Sequence, residues 1–306
     1  MGPPGRLHPH LRSPSSRRRD GRRVPHGTAR PDRDTLIPVP PADLTDPSAG
    51  DPFQHVTGLL REFSQGERTS PILHIRRLRP VVAFSRRDTR NPRFEFAAAA
   101  AMAHGFAAHV RPVGGSAAPL HEGSLVLDHF GVDPDGVVSP HHRFTAVAEA
   151  LRAALASLGL DARVGPVPRE YCPGDHSVNA RGRVKIAGIA QRIRGRSWLV
   201  SSVVQVHGGP ALREVALACY DALDLELDPL TIGTVEEETG IPDLRTVAAE
   251  ITTAYVTRGL VGPDEIIDTT RPERTRPDAI GRRLPHPSLT PARDAPPSPI
   301  RSITVR

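Results

Sequence analysis

The apolar positions fall into a series of short, regularly spaced groups between about residues 51 and 268. Val56, Leu59, Leu60 and Phe63 recur at helical spacing and predict a helix over 54–64. Strand-length apolar runs follow at 72–75 and 81–84. An alanine-rich helix is predicted over 94–104, with Gly105 to end it. A strand over 107–113 runs into Gly114-Gly115, and another covers 125–130. Ser139-Pro140 is a helix start, an N-cap followed by a proline in the first turn. Its stripe is Phe144, Val147, Ala148, Leu151, Leu155 and Leu158, closed by Gly159. Three alternating segments, 177–179, 183–190 and 198–206, are separated by glycine-containing turns and read as a meander. Helices over 210–223 and 243–258 complete the series. Strands and helices mix without a repeating strand–helix–strand unit. The expected fold is therefore α+β: a mixed, largely antiparallel sheet with packed helices.

Composition changes this picture mainly at the ends. The chain has 306 residues and a formal net charge of +6. Residues 1–50 hold 9 Arg against 5 Asp, residues 269–306 hold 8 Arg against 3 acids, and 18 of the 33 prolines lie in these two stretches. Such segments bury too little apolar surface to offset the entropy of ordering, so both are expected to be disordered arms flanking one folded domain over 51–268. The basic charge therefore belongs to the arms, and the middle is acidic. Nucleic acid is not an expected partner. No run reaches the roughly 18 apolar residues of a membrane span, and two cysteines allow neither a disulfide scaffold nor a cysteine-built zinc site. The expectation is a cytoplasmic protein without a membrane partner.

One compositional fact bears on chemistry. Of the 40 basic residues, 39 are Arg and one is Lys185. A lysine offers a compact charge with rotatable donors, where arginine offers a planar fork. Cys172 lies in Arg169-Glu170-Tyr171-Cys172-Pro173-Gly174-Asp175-His176, where Pro-Gly marks a turn and places the thiol outside the core. A reactive thiol needs partial exposure and nearby positive charge. Lys185 is one short strand and a turn away, close enough for a hairpin to bring the two together. Alternation does not aim His176 at the thiol. Cys219, on the apolar stripe of a helix, reads as a core residue. Arg111-Pro112-Val113-Gly114-Gly115-Ser116-Ala117-Ala118 is a strand entering a glycine pair, which lets backbone amides approach a ligand. In Gly182-Arg183-Val184-Lys185-Ile186-Ala187-Gly188-Ile189-Ala190-Gln191, Gly188 marks a place of close approach.

The order and spacing of these segments resemble the lipoate–protein ligase and octanoyltransferase family, the lipoyl branch of the biotin/lipoyl ligase catalytic domain. The glycine segment from Arg111 looks like the family's substrate loop, with Leu120-His121-Glu122-Gly123-Ser124-Leu125 as its continuation. The segment 182–191 is similar to its lysine motif, and Ser177-Val178-Asn179 before it also fits. The resemblance covers about 70–265. It implies a sheet like that of class II aminoacyl-tRNA synthetases, Lys185 on the acyl carbonyl, and a substrate site of Arg111, Gly114, Gly115, Ser116, Ala117 and Gly188. Ala117 and Ala118 would leave an acyl tunnel open. Tyr171-Cys172-Pro173-Gly174 resembles the cysteine-dependent amidotransferase branch, which implies Cys172 and Lys185 as catalytic residues and an octanoyl or lipoyl group moved through a cysteine thioester. The partners would be an acyl donor thioester and a lipoyl carrier domain, such as a glycine-cleavage H-type protein or a 2-oxoacid dehydrogenase E2 subunit. No cofactor is needed in that case. An ATP-dependent ligase using Mg²⁺, with a separate accessory chain, and a non-catalytic domain that binds acylated carriers are the alternatives. Ser116 stands where the ligase loop has a third glycine, His121 where the amidotransferases tend to be acidic, and Pro119 interrupts the loop.

Overall fold

The computed structural model describes residues 50–270. Apart from Gly50, Thr269 and Thr270, the two expected arms lie outside the described residues. The elements in chain order are α1 (Gln54–Gln65), β1 (Ile72–Arg76), β2 (Val81–Phe84), α2 (Phe94–Ala103), β3 (Ala107–Val110), β4 (Ala118–Leu120), β5 (Ser124–Val132), α3 (Pro140–Ser157), β6 (Ala162–Val164), β7 (Val178–Ala180), β8 (Val184–Arg194), β9 (Ser197–Gln205), α4 (Gly209–Leu223), α5 (Val235–Thr239), α6 (Leu244–Thr257) and β10 (Ile266–Asp268).

Seven strands form a sheet in the order β10-β1-β5-β9-β8-β7-β6, and three form a second in the order β3-β2-β4. Within the large sheet only β1 and β10 pair in parallel, so the α+β, largely antiparallel expectation holds, with two sheets rather than one. Alternation along β5 sets the layers. Leu125 and Leu127 face a core shared with Leu151 and Leu155 of α3 and with Val247 and Ile251 of α6. Phe130 faces the other way, onto Val56, Leu60 and Phe63 of α1. The small sheet packs through Val82 and Phe84 against the alanine face of α2 and the stripe Leu212, Val215, Ala216 and Cys219 of α4.

The differences from the sequence reading have local causes. The strand expected over 107–113 stops at Val110: Arg111 N–H still reaches Phe84 O at 2.8 Å, and Pro112 has no N–H to continue the ladder. β4 contains Pro119, which hides a strand from inspection, and a proline is tolerated there because β4 is an edge. Phe144, expected inward, is half-buried on α3, and Arg143 is buried in its place. Arg143 is satisfied by Gln191 Oε1 at 3.0 Å and Val138 O at 2.9 Å, and it pairs with Asp133.

His129 gives the fold a pH dependence. Its ring is wedged edge-on against Trp198 and Tyr255, and burial lowers its pKa to about 4, with one bond to Leu260 O opposing. The unfolded chain therefore takes up a proton first on acidification, and stability falls as the pH drops from about 6.5 toward 4. For this ring the loss approaches roughly 3 kcal/mol. Denaturant titrations at pH 7 and pH 4.5 should show a smaller drop for His129→Gln than for the parent; an equal drop would remove His129 as its source.

Candidate active site

The segment between β6 and β7 carries the sulfur. Arg169 and Cys172 take positive φ values of 61° and 41°. Such backbone costs on the order of 1–3 kcal/mol for a residue with a side chain unless its surroundings hold it. Here they do. Cys172 N–H donates to Tyr220 Oη at 2.6 Å, and Cys172 O accepts from Lys185 Nζ at 2.7 Å. Tyr220 Oη donates onward to Ala117 O at 3.0 Å, tying the sulfur-bearing turn to the glycine loop after β3.

Lys185 stands near the start of β8 and is 1% exposed. Its ammonium reaches Glu170 Oε1 at 3.1 Å and Tyr171 O at 3.0 Å, besides Cys172 O. Glu170, also 1% exposed, is filled on both oxygens. Ser177 Oγ donates to Oε1 at 2.6 Å and Gly174 N–H at 3.2 Å, while Val167 N–H reaches Oε2 at 3.0 Å. Nζ also sits 4.7 Å from the centre of the Tyr171 ring. The lysine stem passes over Gly188, where a Cβ would lie 3.2 Å from Cε.

The thiol faces the glycine loop. Ser116 N–H donates to Sγ at 3.2 Å and Arg111 Nη2 at 3.4 Å. Arg111 Nη2 also donates to Ser116 O at 2.8 Å, and Arg87 to Ser116 Oγ. Gly115 has φ 104°, and a Cβ there would lie 2.6 Å from Sγ and 2.7 Å from Arg111 Nη2. Only glycine permits this approach. Burial pushes the Cys172 thiol up, but the Arg111 charge, then Lys185 and the Ser116 amide pull harder, and the thiol sits below its ordinary range. Burial alone drives Cys219 up to about 12. Lys185 is lowered, chiefly by burial, with Cys172 and Glu170 opposing.

The structure thus brings together Cys172, Lys185, Arg111, Gly115, Ser116 and Gly188. Gly114 opens onto a groove. Ala117 and Ala118 are buried between Phe84 and α4. Lys185 directs its bonds to backbone and carboxylate, and Arg111 is the cation bonded to the sulfur. His176 stacks on Phe144, away from the thiol. Glu170, Tyr220 and Arg87 escaped the sequence reading. Of these only Glu170 left a signal: an acid two residues before the cysteine, in a chain whose sole lysine needs a counter-charge once buried.

Two hollows flank the loop, and Pro112 and Val113 line both. On one side is a groove of about 460 Å³ along Arg86, Arg87, Gly114, Gly115, Gln191 and Arg192. On the other is a narrow slot of about 20 Å³, room for about one water, between Phe53, Val56, Val126 and Val203. Arg111, Asp128 and Ser201 are its polar lining.

Residues 52–212 match the model of the lipoyl protein ligase A/B catalytic domain. The chain belongs to that family. It is an enzyme of the lipoate–protein ligase kind, and the match encloses both the glycine loop and the lysine motif. Solved structures share the fold. A lipoate-protein ligase A bound with ATP is 20% identical, with a TM-score of 0.52 over 69% of this chain and 79% of that one. A T. acidophilum protein with bound lipoic acid is 19% identical, TM-score 0.51, over 71% and 85%. The bi-partite lipoate protein ligase of Thermoplasma acidophilum, described with its E2 lipoyl domain, is 18% identical, TM-score 0.50, over 69% and 81%. No curated protein matches the sequence. Among the described residues no helix is long and apolar enough to cross a membrane, and no group of three or more His, Cys, Asp or Glu is placed to hold a metal ion.

Replacing Arg111 with methionine removes the nearest positive charge from the sulfur. The thiol pKa should rise, and alkylation by iodoacetamide near pH 7 should slow about tenfold, read as a rate–pH profile. An unchanged profile would refute the assignment of Arg111 as the activating cation.

Proposed function

We propose that this family member transfers an octanoyl or lipoyl group to a lysine of a lipoyl carrier domain through a thioester on Cys172. The observation that carries the reading is the lowered Cys172 thiol held between Arg111 and the Ser116 amide. The Cys172 thiolate attacks the carbonyl carbon of an acyl thioester. The bond to the donor sulfur breaks, and the departing thiolate takes up a proton. The acceptor amine then attacks the acyl-enzyme, the Cys172 sulfur leaves as thiolate, and the amide nitrogen sheds a proton to solvent. Thioester to thioester is near balance and thioester to amide runs downhill, so no nucleotide is consumed. Arg111 and the Ser116 N–H, already aimed at the sulfur, are the donors nearest the developing oxyanion. Glu170 and Lys185 hold the turn. The acyl chain enters the slot beside Val113 as its apolar walls part.

An ATP-dependent ligase is the second reading. The guanidinium groups of Arg86, Arg87 and Arg192 suit a polyphosphate, and in that case Cys172 is incidental. Acceptor acylation from free octanoate or lipoate that requires ATP and Mg²⁺ selects it.

Intact-mass spectrometry after incubation with an octanoyl thioester should show a gain of one acyl group that hydroxylamine removes. Cys172→Ala should abolish both the adduct and transfer; an alanine variant with full transfer would refute the nucleophile. Lys185→Arg should cut turnover at least a hundredfold although the charge is kept, because a planar fork cannot place donors on Glu170 and two successive carbonyls. Near-normal kcat in that variant would show the ammonium geometry to be dispensable.

A further inference from the structure

Residues 214–231 run along α4 into the turn beyond it. They hold five acids, Glu214, Asp221, Asp224, Glu226 and Asp228, and no cation, in a chain with 40 basic residues. The large aliphatic residues that end this stretch divide in two. Leu227 and Ile232 are buried in the core of the small sheet, whereas Leu225 and Leu230 are exposed, Leu230 at 75%. A single exposed leucine means little. This one is held rigidly. It sits in a short 3₁₀ turn, Pro229–Thr231, with Asp228 Oδ1 accepting from Leu230 N–H at 3.0 Å and Thr231 Oγ1 donating to Asp228 O at 2.7 Å. Asp228 N–H donates to Arg169 O at 2.9 Å, and Gly233 N–H to Lys185 O at 3.1 Å. The turn that displays Leu230 is therefore bonded both to the sulfur-bearing segment and to the strand of Lys185. Asn91 Nδ2 donates to Leu223 O at 3.0 Å, which joins the loop of Arg86 and Arg87 to the same rim. An acceptor amine arrives as a cation, and the only charged groups lining the groove beside Gly115 are Arg86, Arg87 and Arg192. Electrostatic attraction for such a partner must come from the acidic turn.

We propose that the 225–230 turn is the docking face for the acceptor carrier domain: Leu225 and Leu230 seat an apolar patch of that domain, and Glu226 and Asp228 steer the cationic face around its lysine toward Cys172. The inference rests on the proposed protein acceptor and holds for either source of the acyl group.

The test uses the full chain and two unmodified carriers, a glycine-cleavage H-type protein and an E2 lipoyl domain, with octanoyl transfer followed against carrier concentration. For the better acceptor, the Leu225→Gln/Leu230→Gln double variant should raise KM at least about tenfold, the scale of taking one or two leucines out of an interface. Its kcat, its acyl-enzyme formation from a small octanoyl thioester and the release of that acyl group by hydroxylamine should stay within about twofold, which also certifies an intact fold. Glu226→Arg should raise KM as well and flatten its rise with salt. An unchanged KM in the double variant, or an equal loss in the carrier-free steps, overturns the proposal. So does a parent dimer that the double variant converts to monomer with KM for the carrier unchanged, since the leucines would then pair two copies of the chain. If no thioester acylates the enzyme while free octanoate with ATP acylates a carrier, the transferase reading fails, and the same KM comparison on the ATP reaction decides the docking face separately. Transfer to neither carrier from either source removes the protein acceptor and the inference with it.

Discussion

The site is organised around one buried ion pair, Glu170 with Lys185. Two charges removed from water are tolerable only when both are fully bonded, since stripping a buried pair of one partner commonly costs about 3–5 kcal/mol. That requirement dictates the local chain path. Glu170 gathers the N–H groups of Val167 and Gly174 and the hydroxyl of Ser177, so the segment from 167 to 177 must wrap around its carboxylate. Lys185 takes up the carbonyls of Tyr171 and Cys172, which fixes the end of the same turn against β8. The positive φ of Cys172 is a consequence of that wrapping. The ammonium meets three acceptors in three directions, which explains why a chain that otherwise uses arginine keeps a lysine here.

Holding and activation fall unequally on two cations. Lys185 bonds the backbone of the sulfur-bearing turn and lowers the thiol less, whereas Arg111 bonds the sulfur itself, from a loop that belongs to the other sheet. The two halves meet because Gly115 has no side chain, and Tyr220 bonds to both, accepting from Cys172 N–H and donating to Ala117 O. The interface between the large and small sheets is therefore where the thiol is tuned. A shift of a few tenths of an ångström between them changes the distance from guanidinium to sulfur directly, and with it the charge on the nucleophile.

Much of this was legible in the sequence. Helices α1, α3, α4 and α6 announced themselves by apolar spacing, and the β7–β8–β9 meander by alternation, because in both cases one face is buried and the other is not. The elements that went unread are short or edge-placed: β4 carries a proline, β6 and β10 have three residues each, and α5 has five. Their stability comes from neighbours, not from a pattern of their own. At the site, composition singled out Lys185 and turn chemistry singled out Cys172, but their division of labour was not readable. Which cation faces the sulfur depends on side-chain direction at the meeting of two sheets, and no periodicity encodes that. Ala117 and Ala118 mislead for the same reason: small residues after a glycine pair suit a tunnel wall and a helix contact equally, and here they meet α4.

The partition at Pro112–Val113 also constrains the order of events in the proposed reaction. A proline stiffens the wall and Arg192 pins its carbonyl to β8, so slot and groove stay separate, the slot lined by Arg111 and the groove by Gly115. The acyl chain can remain in its slot throughout. In the proposed reaction the groove is the path left for both the donor arm and the acceptor lysine. A direct transfer between them would need both in place at once. A covalent thioester removes that conflict, because the acyl group waits on Cys172 while the arm departs and the acceptor enters. On this argument the cysteine is needed less for intrinsic reactivity than for timing, and an exchange of partners through one groove is the physical reason for a two-step mechanism.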